Sequence, residues 1–133
     1  MWRVVCVTRL REDDLMIGRW HALVIDCPEP AELADFYQQV LGMVRVQDEA
    51  DWVVIGYSAE RPGIAFQRAP QLQAPNWPDP NSPQQMHIDV RVDDLDAAEA
   101  EVLALGARRL PSDATEFRIF ADPVGHPFCL VLW

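Results

Sequence analysis

Polar and apolar residues alternate in the same way at two places along the chain. In Trp20-His21-Ala22-Leu23-Val24-Ile25-Asp26, an extended segment puts His21, Leu23 and Ile25 on one face. In Met86-His87-Ile88-Asp89-Val90-Arg91-Val92, Ile88, Val90 and Val92 take one face, and His87, Asp89 and Arg91 take the other. Each run gives way to a helical period. Leu33, Phe36 and Val40, with Tyr37 and Leu41 beside them, form the first stripe; Leu95, Ala98, Val102 and Leu105 form the second. Cys27-Pro28-Glu29-Pro30 breaks the first strand, and Glu29 and Glu32 bring negative charge to a helix start, where the dipole favours it. Asp93 or Asp94 caps the second helix, and Leu-Gly closes both stripes, at Gly42 and Gly106. Three short strands are expected after each helix: 43–46, 52–57 and 63–68, then 107–110, 116–121 and 127–132. Asp122-Pro123-Val124-Gly125 supplies the last turn.

The pattern is an internal repeat of βαβββ units and predicts an α+β fold. His21 and His87 lie 66 residues apart and the two Leu-Gly pairs 64 apart, which makes the first strand–helix loop two residues longer. The expected organisation is an N-terminal extension at 1–18 and a single domain over 19–133. That domain comprises module one at 19–68, a linker at 69–83 and module two at 84–133. The linker holds five prolines and is therefore stiff. Trp77 in its middle either pins the linker to the core or walls a binding cavity. The extension lacks the long apolar stretch and small-residue cleavage site of a signal peptide, and Met16 offers an alternative start.

Composition narrows the partners. The net charge is −10, and all eleven basic residues are Arg. Nucleic acid and anionic membrane surfaces are therefore not expected, because phosphate binding needs clustered positive charge. The absence of Lys excludes Schiff-base chemistry and a P-loop lysine. No apolar run approaches the roughly 20 residues that span a bilayer. Cys6, Cys27 and Cys129 are an odd number without a CxxC, as expected of reduced thiols in a cytoplasmic protein.

Several pieces, taken in order, carry a family likeness: Phe36-Tyr37 with Leu41-Gly42, Trp77-Pro78, Pro83-Gln84-Gln85-Met86-His87, Val92-Asp93-Asp94-Leu95, Leu105-Gly106-Ala107 and Asp122-Pro123-Val124-Gly125-His126-Pro127-Phe128. Over about residues 19–133 the chain resembles the vicinal oxygen chelate superfamily. That superfamily includes glyoxalase I, extradiol dioxygenases, fosfomycin-resistance and bleomycin-resistance proteins. The chain looks most like bacterial glyoxalase-like proteins of unassigned activity. The resemblance implies a curved, partly open eight-stranded barrel-like cup with helices outside, often completed as a homodimer. The first and last strands of each unit would donate metal ligands into the cup.

Carried over, that pattern nominates His21 and His87 from the first strands, and Gln67 and Cys129 from the last. Gln67 and Cys129 stand where metal-using members commonly carry a carboxylate. Two imidazoles and a thiolate suit zinc with an open fourth position, whereas Mn²⁺ and Fe²⁺ prefer anionic oxygen. Burial in an apolar strand would raise the Cys129 thiol unless a metal is present. The cofactor expectation is either one divalent metal (Zn, Ni, Mn or Fe) or none. Gln67, Asp89, Trp77, Trp52 and Tyr57 are the expected ligand-pocket residues; the resemblance does not make Asp89 a ligand. No catalytic residue is assigned. His126 is expected to be structural, Arg118 a surface residue, and Phe66 a core residue. The implied function is binding or turnover of a small organic molecule, with a metal stabilising an oxyanion or enolate in a lyase, isomerase or dioxygenase reaction. The alternative is a metal-free drug-binding protein of the bleomycin-resistance type. An accessory domain acting through association is a third reading.

Overall fold

The computed structural model describes residues 20–76, 79, 81 and 86–132. Module one runs β1 (Leu23–Cys27), α1 (Pro30–Leu41), β2 (Val44–Glu49), β3 (Trp52–Ser58) and β4 (Arg61–Arg68). Module two repeats the order as β5 (Ile88–Arg91), α2 (Leu95–Ala104), β6 (Arg108–Leu110), β7 (Phe117–Ala121) and β8 (Pro127–Val131). The architecture is α+β: among the described residues, two separate four-stranded sheets, ordered β1-β4-β3-β2 and β5-β8-β7-β6, with no closed barrel.

Local chemistry explains the boundaries. Pro30 occupies the first turn of α1, where its missing N–H costs nothing. Gly42 ends α1 at φ 69°, a left-handed conformation that glycine adopts without a Cβ penalty. Asp94 caps α2 by accepting from the Ala97 N–H at 3.0 Å. The first strand of each module is shorter than its alternation suggests. β1 begins at Leu23 and β5 at Ile88, so His21 and His87 both precede their strands.

The main core spans both modules. Ile25, Phe66 and Tyr37 of module one join Val90, Val102, Phe120 and Phe128 of module two. The Tyr37 ring stacks on Phe66 with centroids 5.8 Å apart, while Phe36 meets Phe128 edge-on at 5.8 Å. Phe66 thus lies in the core, as expected. A second cluster of Leu110, Ile119, Ala121, Cys129 and Val131 covers the other face of the second sheet. β8 is therefore buried on both faces, with Phe128 and Leu130 on one side and Cys129 and Val131 on the other.

Candidate functional site

In each module the first strand pairs parallel with the last, which places side chains from both on one sheet face. In module two Asp89 lies directly opposite Cys129 across the β5–β8 pair. In module one the equivalent β1–β4 pair sets Asp26 opposite Gln67.

This register corrects the repeat as read from sequence. Ile25 and Val90 are the buried centres of β1 and β5, and Pro30 and Leu95 open the two helices. On that alignment His87 matches Ala22, one position beyond His21. A one-residue shift exchanges the faces of a strand, so the two histidines are not equivalent. Likewise, Leu23 pairs with Ile64 and Ile88 with Phe128, so the module-one counterpart of Cys129 is Ala65 rather than Gln67.

What assembles instead is a group within module two. The donor atoms of His87, Asp89 and Cys129 all lie within 4.8 Å of one another. Nε2 of His87 is 3.2 Å from Oδ1 of Asp89, and both side chains are part exposed, at 38% and 43%. Cys129 is buried, and its thiol pKa is pushed up to about 11 by burial, then by the Asp89 charge and a hydrogen bond to it. A thiol so held is a poor nucleophile, because the thiolate is the reactive form. The donor set of imidazole, carboxylate and sulfur nevertheless fits a divalent ion, which deprotonates a coordinating thiol.

A cavity of about 540 Å³ opens where β1 and β5 face each other. Leu23, Val24, Ile25 and Asp26 wall it from β1, with Tyr37 behind them and Gln67 from β4. Met86, His87, Ile88, His126 and Pro127 wall it from module two, and Leu72 comes from the linker. His87 thus belongs to both the cavity and the donor group. The size lies within the range of small-molecule sites, roughly 300–1,000 Å³.

The cavity's frame is held by a buried carboxylate that sequence reading passed over. Asp122 is 3% exposed and accepts from the Tyr37 hydroxyl at 2.7 Å. It also accepts the backbone N–H groups of Val124 and Gly125 at 2.9 Å and of His126 at 3.0 Å. The tight turn depends on Gly125, whose φ is 109° and whose missing Cβ would stand 2.5 Å from the Ala74 Cβ. His126 then reaches module one, its Nε2 lying 2.7 Å from the Asp26 carbonyl oxygen. A carbonyl only accepts, so Nε2 carries the proton. His126 is a bridge between modules as well as a turn residue. The Asp-Pro-x-Gly motif was visible in sequence; its partner Tyr37 was visible as a helix-stripe residue and in the Phe36-Tyr37 piece of the family likeness, but not as the partner of Asp122.

The other nominated residues fall elsewhere. His21 is exposed and belongs to neither the cavity nor the donor group. Tyr57 is 65% exposed and does not line the cavity. Trp52 is half-buried on β3 opposite Gln67, beside the cavity rather than in its wall. Trp77, like the N-terminal extension, lies outside the described residues. Arg118 is engaged by Asp96 at 2.6 Å and by Glu99, and stands on the surface as expected. Among the described residues no helix is long and apolar enough to cross a membrane.

The model of a glyoxalase-like domain matches residues 22–131, nearly the whole span of both modules. The chain belongs to the glyoxalase-like domain family. Its place in the vicinal oxygen chelate superfamily follows. A search of curated proteins finds no match. Solved structures share the fold at low identity. A fosfomycin resistance protein from Listeria monocytogenes is similar at TM-score 0.66 and 16% identity, covering 89% of this chain and 95% of that one. The trypanothione-dependent glyoxalase I of Leishmania major is similar at 0.62 and 18%, covering 86% of each. A glyoxalase/bleomycin resistance/dioxygenase family enzyme from Burkholderia phytofirmans is similar at 0.61 and 14%, covering 82% and 94%.

Proposed function

We propose that this glyoxalase-like protein binds a small organic molecule in the cleft between β1 and β5, beside a divalent metal at His87. The observation that carries the reading is that one residue, His87, joins a cavity of about 540 Å³ to a metal-competent donor group. Leu23, Val24, Ile25, Ile88 and Pro127 would take the apolar body of the ligand. Gln67 offers amide donors and an acceptor from the opposite wall, which orients a polar end. A bound divalent ion supplies Lewis-acid stabilisation for negative charge on a ligand oxygen, the chemistry of lyase, isomerase and dioxygenase reactions in this superfamily. Similarity to fosfomycin-resistance and glyoxalase proteins supports small electrophilic or oxygen-rich ligands. Exposed Trp20, Met86 and Tyr57 support a homodimer, which predicts a solution mass twice the 15.1 kDa of the chain.

A second reading, metal-free drug binding, is favoured by one observation. Asp89 already engages both His87 and Cys129, so the group is satisfied without an ion. One experiment tests the cleft under either reading. Fosfomycin, a thiol–2-oxoaldehyde adduct and bleomycin are titrated against metal-free and metal-loaded protein by calorimetry, with Val24→Trp as the blocked control. Val24 lines the cavity yet is 44% exposed, so the bulky ring fills the cleft without entering the core. Saturable binding to the parent that Val24→Trp abolishes supports the cleft; ligand binding unchanged in the blocked variant removes it. Dependence of binding on metal separates the two readings.

A further inference from the structure

We propose that the metal is zinc, held entirely within module two by His87, Asp89 and Cys129, with His21 and Gln67 outside its ligand set. The inference deepens the metal-dependent form of the cleft reading. It departs from the superfamily pattern, in which the two modules share the ion.

The parallel β5–β8 pair carries the argument. Asp89 and Cys129 are direct partners across it, and His87 lies two residues before Asp89. The imidazole and carboxylate are already 3.2 Å apart, and the thiol completes a triangle with no side longer than 4.8 Å. Tetrahedral zinc, with bonds of about 2.0–2.3 Å, separates its ligand atoms by about 3.3–3.7 Å. The group, with one side of 3.2 Å and none above 4.8 Å, is close to that spacing. Among the described residues, no other group of three His, Cys, Asp or Glu side chains meets this condition. The position of Gln67 is fixed by its pairings with Asp26 and Trp52 in module one.

Charge selects the ion. On binding, zinc displaces the Cys129 thiol proton to the buffer, and a thiolate, a carboxylate and a neutral imidazole then balance its +2 charge. One carboxylate is too little oxygen for Mg²⁺ or Mn²⁺, whereas mixed nitrogen, oxygen and sulfur suits zinc. Cys129 closes the group on the core side, while His87 and Asp89 leave it open to solvent and a fourth ligand.

Cobalt(II) tests the assignment, because a cobalt–thiolate bond gives an intense near-ultraviolet charge-transfer band. Full-length protein purified without a histidine tag is titrated with Co²⁺ and then with Zn²⁺. The expected result is one equivalent of Co²⁺ with that band and four-coordinate visible bands, displaced by Zn²⁺. Cys129→Ser loses the charge-transfer band. Asp89→Asn, at a part-exposed position that does not threaten the fold, weakens zinc at least about tenfold. His21→Ala and Gln67→Ala bind as the parent does. Parent protein that takes up neither ion, or binding as sensitive to His21 or Gln67 as to Cys129, overturns the proposal. Organic-ligand binding by a parent that takes up neither Co²⁺ nor Zn²⁺ refutes this metal site but not the cleft; zinc retained by Val24→Trp while organic ligands bind the parent no better than that variant refutes the cleft but not the metal site.

Discussion

Replacing Asp122 by Ala should unhinge the two modules. The carboxylate is almost fully buried and, among the described residues, accepts from four donors, the Tyr37 hydroxyl and three successive backbone N–H groups. Its removal leaves Tyr37, itself fully buried, with a hydroxyl that water does not reach. An unsatisfied buried donor costs about 1–3 kcal/mol, and the lost charge-assisted bond adds a similar amount. The turn is part exposed, so water offsets some of the loss at Val124, Gly125 and His126. The net expectation is about 3–5 kcal/mol, against a total stability of about 5–15 kcal/mol for a domain. At this chain length the melting temperature falls by about 10–20 °C. Urea unfolding of Asp122→Ala, Tyr37→Phe and the double variant measures it as a cycle. Tyr37→Phe alone should cost about 1.5–3 kcal/mol, with a coupling energy of at least about 1 kcal/mol. A cost for Asp122→Ala below about 1 kcal/mol, or additive singles, would falsify the account of Asp122 as the inter-module tie.

Three further outcomes follow from local chemistry. Burial, then the charges of Asp122, Asp26 and Glu29, raise the Cys27 thiol to about 11 from 9.0, and burial with Asp122 raises Tyr37 well above its ordinary value. The unfolded chain therefore releases these protons first, so stability should be flat below pH 9 and fall as pH rises toward 11; urea midpoints between pH 7.5 and 10.5 show it, and a rising midpoint contradicts it. Gly125→Ala meets both the positive φ and the 2.5 Å approach of Ala74, and should cost at least about 2 kcal/mol in the same assay. Asp94→Ala removes the single side-chain cap on α2 and should cost about 1 kcal/mol, while Glu29→Ala, whose side chain makes no cap bond, should change stability by less than about 0.5 kcal/mol.

The chain's alternation and helical stripes determined the element order and the two modules, because period-two and period-3.6 burial are local properties of sequence; the family likeness rested instead on short motifs in order, from Phe36-Tyr37 to Asp122-Pro123-Val124-Gly125. They also placed Phe66 in the core and Cys129 opposite Phe128 and Leu130. The same alternation already separated His21, which shares the parity of Leu23 and Ile25, from His87, which opposes Ile88 and Val90. The repeat of the letters, offset by one from the repeat of the fold, masked that difference. Tertiary structure alone decided the site. Strand pairing across a sheet is non-local, so only the parallel β5–β8 register joined Asp89 to Cys129. Only packing of the modules carried the Tyr37 hydroxyl to Asp122 and the His126 ring to the Asp26 carbonyl, contacts between residues 85 and 100 positions apart. Sequence set which faces would be buried; the register and the meeting of the two sheets set which polar groups share a cleft.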